Sequence, residues 1–139
     1  MYMLDTNVIS ELRSNKKNQS LAVRNWAANQ DFQYLYLSAV TIFEIEHGIL
    51  SLDRRTPPEG ATLRSWFTGV QNEYKGKIFP FTQTTAMIYA TFPAASNGAI
   101  HDFMIAATAI EHGFTVVTRN TQDFELTGVK LLNPWLRSA

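Results

Sequence analysis

The sequence has no cysteine among its 139 residues. That absence excludes a disulfide scaffold, a thiolate zinc site and a cysteine nucleophile. The sequence also lacks an apolar run of the roughly 18 residues that a membrane helix needs. No basic and then apolar segment of the secretory type stands at the N-terminus. From these absences we expect a soluble, cytoplasmic protein.

The chain also lacks a net charge, because 12 acidic residues balance 12 basic residues. Proteins that bind nucleic acid usually carry a basic surface, so any such role must rest on where the charges lie. Hydrophobic residues make up 45% of the chain, which is enough for one buried core. We therefore expect a single domain over residues 1–139.

Short apolar segments alternate with longer segments of helical period. The predicted strands are Tyr2–Leu4, Tyr34–Leu37, Ile78–Phe81, Phe114–Thr118 and Val129–Leu132. The predicted helices are Thr6–Arg13, Leu21–Asn29, Thr41–Leu52, Ala61–Lys75, Thr84–Phe92 and Asp102–His112. The stretch from Asp53 to Gly60 is predicted to be a loop. The alternation predicts a three-layer α/β/α domain with a central parallel sheet of about four or five strands.

Acidic residues stand where the predicted strands end or helices begin. Asp5 directly follows the first strand, Glu44 is predicted in the first turn of the helix after the second, and Asp102 starts a strongly apolar helix. Asn120 and Asp123 follow a late strand. Ligands of parallel sheets bind at the carboxyl ends of the strands. Oxygen ligands gathered there suit Mg²⁺ or Mn²⁺.

A simpler interpretation makes each of these residues a helix cap or a turn residue. Asp5 is a good N-cap, and Thr41 with Glu44 has the spacing of a capping box. Asp102 would favour the positive end of its helix dipole. The two interpretations can coexist, because a carboxylate at a helix start can also face a metal. Acids at successive strand–helix junctions favour the functional one.

Five segments resemble the motifs of the PIN-domain family, in the family's order and over essentially the whole chain. They are Met3-Leu4-Asp5-Thr6-Asn7, Leu37–Thr41 with Glu44 and Gly48, Asp102 with Ile105–Ala109, Thr118-Arg119-Asn120 with Asp123-Phe124, and Leu132-Asn133-Pro134-Trp135. The last is similar to the tail of the VapC/FitB-like branch.

The resemblance implies a metal-dependent endoribonuclease that acts as the toxin of a VapBC-type toxin–antitoxin pair and inhibits translation. Asp5, Glu44 and Asp102 would hold Mg²⁺ or Mn²⁺. Asn120 stands where many relatives carry a fourth acid, and Asp123 is the alternative source of that charge. The resemblance also implies three partners: an RNA substrate such as a tRNA, a VapB-like antitoxin, and a second copy of the chain.

Other matched residues would support this centre. Thr6, Asn7 and Ser38 would orient the carboxylates by hydrogen bonds. Arg119, next to Asn120, and more weakly Arg13 are the candidates for contacts with RNA phosphates.

Three other classes of protein are alternatives. A catalytically inactive module that only binds a partner is favoured by Asn120, which lacks the acid's charge. A phosphatase or receiver-like domain is disfavoured, because Asp5-Thr6-Asn7 has no second aspartate two residues after the first. A dinucleotide-binding domain is excluded by the absence of a G-x-G-x-x-G segment.

Overall fold

The computed structural model of the chain describes residues 1–95 and 99–136. The strands in this part of the chain are β1 (Tyr2–Leu4), β2 (Leu35–Ser38), β3 (Ile78–Phe79), β4 (Thr115–Val117) and β5 (Leu131–Leu132). The helices there are α1 (Thr6–Glu11), α2 (Leu21–Ala28), α3 (Ala39–Arg55), α4 (Pro57–Glu73), α5 (Gln83–Tyr89), α6 (Ile100–His112) and α7 (Thr121–Phe124). None of these helices is both long and apolar enough to cross a lipid bilayer.

All five strands form one parallel sheet in the order β3-β2-β1-β4-β5. This confirms the predicted α/β class and the strand count. The chain runs outward from β1 to β3 and then returns to β4 on the other side of β1. That reversal creates a topological switch point between β1 and β4, where ligands of such sheets bind. The order also differs from the 2-1-3-4-5 order of receiver-like domains.

Helices cover both faces of the sheet. Successive side chains of a strand point to opposite faces, so each strand packs against helices on both sides. Leu4 and Val117 belong to a core cluster completed by residues of α1, α2, α3 and α4. Met3 and Val116, their direct neighbours, belong to the opposite cluster, built largely on α6. Consecutive residues of one strand therefore serve two cores, which is the predicted three-layer arrangement.

The connection between α3 and α4 is much tighter than predicted. The loop predicted from Asp53 to Gly60 was wrong, since Thr56 alone separates the two helices. Pro57 and Pro58 open α4, where the N–H that proline lacks has no partner within the helix. The two arginines before Thr56 lie in the last turn of α3, where positive charge favours the helix dipole. Residues that suggested a loop are therefore helix-end signals.

Helix α3 also begins earlier than predicted, at Ala39 instead of Thr41. Ser38 caps it, because its hydroxyl oxygen accepts a hydrogen bond from the Val40 N–H at 3.0 Å. Glu44 is consequently the sixth helical residue and lies in the second turn. Both its predicted place in the first turn and the capping box of Thr41 with Glu44 were wrong.

Replacing Phe67 by alanine tests how the first core is held together. Phe67 lies on α4, is 1% exposed, and packs in the cluster that contains Leu4 and Val117. We expect Phe67→Ala to lower the free energy of unfolding by ~3–5 kcal/mol in urea denaturation. Leu21→Ala, at a residue 71% exposed, is the control and should stay within ~0.5 kcal/mol of wild type. A similar small loss for Phe67→Ala would contradict this packing.

Candidate active site

Asp5 lies at the switch point, directly after the central strand β1, and is 3% exposed. One carboxylate oxygen, Oδ1, accepts a hydrogen bond from the Thr6 N–H at 2.8 Å and so caps α1. The other, Oδ2, accepts from the Thr118 hydroxyl at 2.7 Å. The N-cap interpretation of Asp5 is therefore confirmed, and the same carboxylate is also held at the edge of the sheet.

Thr118 ties the ends of β1 and β4 together. It is fully buried, and its hydroxyl oxygen also accepts a hydrogen bond from the Asn120 N–H at 3.0 Å. Asn7 Nδ2 lies 3.4 Å from both Asp5 Oδ2 and Thr118 Oγ1, while Asn7 Oδ1 accepts from the Arg119 N–H. Asn7 thus contacts the Asp5 carboxylate as predicted. Thr118 was missed as a site residue, although it ends the predicted strand Phe114–Thr118 directly before Arg119 and Asn120.

Glu44 reaches the same edge from the second turn of α3. Thr6 donates a hydrogen bond from its hydroxyl to Glu44 Oε1 at 2.5 Å, and the Thr6 hydroxyl oxygen lies 3.1 Å from that of Thr41. His101 Nδ1 lies 3.4 Å from Glu44 Oε2 on the other side. Ser38, in contrast, contacts the backbone of α3 and so positions the helix that carries Glu44.

The acidic residues are close enough to raise one another's pKa. Burial raises the pKa of Asp5 to about 6, opposed by its hydrogen bonds and reinforced by the charges of Glu44 and Asp123. Burial also raises the pKa of Asp102 to about 7, and repulsion from Asp5, Asp123 and Glu44 adds to the effect. Every neighbouring charge that acts on Asp102 is negative. Asp5, Glu44, Asp102 and Asp123 therefore lie near enough for their charges to interact, and these four residues are called the acidic cluster below.

Asn120 and Asp123 occupy different places on α7, a short helix that was not predicted. Asn120 precedes α7 at its N-cap position and makes no side-chain cap. Asp123 is exposed in the first turn of α7, and its charge acts on both Asp5 and Asp102. Of these two residues, Asp123 is therefore the one whose charge acts on the buried acids.

The acidic cluster offers the oxygen ligands that a divalent cation needs, but its side chains are not gathered around one point. Within residues 1–95 and 99–136, no three His, Asp or Glu side chains lie close enough to hold one ion as they are placed. Carboxylate oxygens are nevertheless the ligands that Mg²⁺ and Mn²⁺ prefer. A bound dication would also relieve the repulsion among the four acids. The residues therefore fit such an ion by the chemistry of their oxygen donors.

Each of the two predicted RNA-binding arginines lies beside a tryptophan ring. The Arg119 guanidinium carbon lies 5.2 Å from the centre of the Trp135 ring, and the Arg119 N–H is bonded to Asn7 in the site. The Arg13 guanidinium carbon lies 5.8 Å from the centre of the Trp66 ring. Arg119 is exposed, and its backbone N–H is the part of it that contacts the site.

Thr118→Val tests whether this threonine holds Asp5 in place. The substitution keeps the shape but removes the donor to Asp5 and the acceptor of the Asn120 N–H. We expect the free energy of unfolding to fall by ~1–3 kcal/mol. We also expect any metal-dependent activity of the site to fall about 10–100-fold. Thr118→Ser keeps the hydroxyl and should retain most of both, and equal losses in the two variants would refute the role of the hydroxyl.

The chain is similar to known proteins over nearly its whole length. The PIN domain family matches residues 2–130 of the chain. The VapC ribonuclease Y4jK of Sinorhizobium fredii is 36% identical over an alignment of 144 positions, which covers 97% of this chain and 98% of that protein. Toxin FitB of Neisseria gonorrhoeae is 34% identical over an alignment of 140 positions, which covers 97% of this chain and 99% of that protein. The crystal structure of FitAcB from Neisseria gonorrhoeae superposes with a TM-score of 0.88 at 32% identity, covering 99% of this chain and 100% of the compared one.

Proposed function

The chain belongs to the PIN domain family, and on that premise we propose that it is a Mg²⁺- or Mn²⁺-dependent endoribonuclease that acts as the toxin of a toxin–antitoxin pair. The observation that supports this most strongly is the cluster of four acids at the switch point of the sheet. Cutting an RNA that translation requires, such as a tRNA, would inhibit growth. The proposed place of action is the cytoplasm, where such RNA is found.

We assign the metal ligands to the clustered acids. Asp5, Glu44 and Asp102 are the proposed core ligands. Asp123 is the proposed fourth, in preference to Asn120, because its charge acts on Asp5 and Asp102. Asn120 offers only an uncharged carbonyl oxygen and lies at the start of α7.

A divalent ion held there would orient the scissile phosphate, offset its developing charge and lower the pKa of a water molecule. The surrounding residues position the ligands. Thr118 and the Thr6 N–H hold the two oxygens of Asp5, and the Thr6 hydroxyl holds Glu44. Hydrogen bonds of this kind fix the direction of a ligand and strengthen binding. Arg119, whose backbone N–H is bonded to Asn7, would donate from its exposed side chain to an RNA phosphate oxygen. Cleavage would leave a 5′-phosphate and a 3′-hydroxyl.

Kinship with the VapC and FitB toxins supports two protein partners. One is a VapB-like antitoxin, and the other is a second copy of this chain. The acidic cluster would suit an antitoxin segment that carries a cationic side chain, because the pKa of Asp102 reflects repulsion that such a charge would relieve.

A second candidate is a catalytically inactive module that binds only its partner. It is favoured by Asn120 and by the separation of the carboxylates in the described residues. It predicts no metal-dependent cleavage, and no effect of Asp5→Ala beyond stability.

Incubation with total cellular RNA distinguishes these two functions. The protein, purified free of any partner, is incubated with Mg²⁺, Mn²⁺ or EDTA, and the ends of the products are mapped. We expect discrete cuts with 5′-phosphates that require metal and disappear in Asp5→Ala, with folding confirmed by circular dichroism. A folded wild type that binds metal but cuts nothing would refute the nuclease and favour the binding module.

A further inference from the structure

His101 is a polar side chain beside the acidic cluster to which the metal-ligand assignment gives no role. It lies in the first turn of α6, one residue before Asp102. Its ring nitrogen Nδ1 lies 3.4 Å from Oε2 of Glu44, which belongs to α3. His101 therefore reaches from the helix that carries one proposed metal ligand to a second ligand on another helix.

The Glu44 carboxylate lies between two polar side chains from two different helices. The Thr6 hydroxyl, on α1, donates to Oε1 at 2.5 Å, and His101 approaches Oε2. The two oxygens of a carboxylate can accept about four hydrogen bonds or ligand contacts in total. One donor on each oxygen therefore leaves positions for a metal ion, and the two donors together fix the direction in which Glu44 faces.

The ring of His101 is itself supported by an aromatic neighbour. The ring centres of His101 and Phe43 are 5.2 Å apart, and their planes meet at 82°, which is an edge-to-face contact. Val40 and Met104 line the same apolar depression between α3 and α6. In the part of the chain that the structure describes, Glu44 is the only acid that contacts a ring nitrogen of His101.

The start of α6 has few other polar contacts to hold it against α3. Ala99 occupies the N-cap position and makes no side-chain cap. Among residues 1–95 and 99–136, the approach of His101 to Glu44 is the one side-chain polar contact between α3 and the first turn of α6. The position of Asp102 relative to Glu44 therefore depends on apolar packing and on this contact.

We propose that His101 is a positioning residue that holds Glu44 in the direction needed to bind the divalent ion. Its Nδ1–H donates to Glu44 Oε2 and so completes the clamp begun by Thr6. This donor exists in the charged ring and in one neutral tautomer, so the role does not depend on titration. The proposal rests on the proposed metal-dependent nuclease function.

The separation of the two atoms is consistent with this role in a protein without its ion. At 3.4 Å it is somewhat longer than the roughly 2.7–3.2 Å of an ordinary N–H···O hydrogen bond. Hydrogen bonds of catalytic sites are often long in the ligand-free protein and shorten in the complex.

The test measures binding of Mn²⁺ by the protein freed of any partner, with free Mn²⁺ determined by electron paramagnetic resonance. His101→Leu removes the donor, and we expect it to raise the Kd for Mn²⁺ about tenfold. His101→Asn has nearly the shape of leucine but places an amide N–H near the position of Nδ1. We expect His101→Asn to keep the Kd within about threefold of wild type. The two variants should have equal melting temperatures in EDTA.

Two further variants separate this role from the alternatives. His47 also stacks on Phe43, at 5.8 Å between ring centres, but it is exposed and contacts no acid in the described residues. His47→Leu is therefore the matched control and should leave the Kd unchanged. Adding His101→Leu to Glu44→Ala should raise the Kd no further, because the histidine then has no carboxylate to hold.

Four results would overturn the proposal: no binding of Mn²⁺ by the wild type, an unchanged Kd in His101→Leu, equal Kd values for His101→Leu and His101→Asn, or a further rise in the Glu44→Ala background. The last result would make His101 a direct ligand. An unchanged Kd in His101→Leu would leave the nuclease function standing. A protein that shows the expected Kd values but cuts no RNA would refute the nuclease function alone, so the two failures are distinguishable.

Discussion

Asp102→Asn is expected to reduce metal-dependent RNA cleavage by at least about 100-fold. In EDTA at pH 8, the same substitution is expected to raise the melting temperature of the protein. Loss of cleavage follows because even the partners of metal ligands are worth about 10–100-fold, and this change removes the charge of a ligand. The gain in stability follows because Asp102 is 9% exposed and its pKa is raised by burial and by three like charges. The amide keeps the shape and removes that repulsion.

Glu73→Gln is the matched control for this substitution. Glu73 is exposed at the end of α4 and does not contribute to the pKa of Asp5 or Asp102. It should leave both cleavage and melting temperature unchanged. If Asp102→Asn cleaves RNA within about tenfold of wild type, the side chain is not a metal ligand. If Asp102→Asn lowers the melting temperature in EDTA, the Asp102 carboxylate is not repelled by its neighbours.

The metal-free protein is expected to lose stability as pH rises from 5 to 8. The pKa of Asp5 is about 6 in the folded state against a normal value of 3.8, so the folded state binds more protons than the unfolded state across this range. The free energy of unfolding therefore falls as pH rises through the folded pKa, by ~1 kcal/mol for Asp5. Asp102, with a pKa of about 7, acts in the same direction.

A saturating divalent ion should oppose this trend. It binds the deprotonated carboxylates, so its stabilisation grows with pH. At 100 times its Kd, a ligand of the folded state adds ~2.7 kcal/mol. Melting temperatures from pH 5 to 8, in EDTA and in Mn²⁺, measure both effects. Superimposable curves in the two buffers would show that the carboxylates hold no metal.

The sequence predicted the positions of the acidic residues better than the boundaries of the helices around them. Asp5 directly follows a strand as predicted, and Asp102 lies in the first turn of α6, although that helix begins two residues earlier than predicted. Glu44 was predicted one turn too early. The spacing of Thr41 and Glu44 fits a capping box, and this pattern was followed instead of Ser38 as the N-cap. The cap depends on one serine side chain, and such local signals leave boundaries uncertain by a few residues.

Other features required the tertiary structure. The predicted loop from Asp53 to Gly60 failed because α4 packs closely on α3 there. Gly60 is buried, and a Cβ at this position would collide with the Asp53 side chain and lie 3.2 Å from the Asp53 Cα, so the two helices approach closely there. The contact of Thr118 with Asp5 joins residues 113 positions apart, and no local pattern reveals such a pair.

The rate of RNA cleavage as a function of Mn²⁺ concentration tests the central claim most directly. The claim is that the four clustered acids form a divalent-metal site that cuts RNA. It predicts no cleavage in EDTA, a rise to saturation with added Mn²⁺, and no comparable rise in Asp102→Asn. Cleavage at the same rate in EDTA, or no cleavage at any Mn²⁺ concentration by a folded wild type, would contradict it.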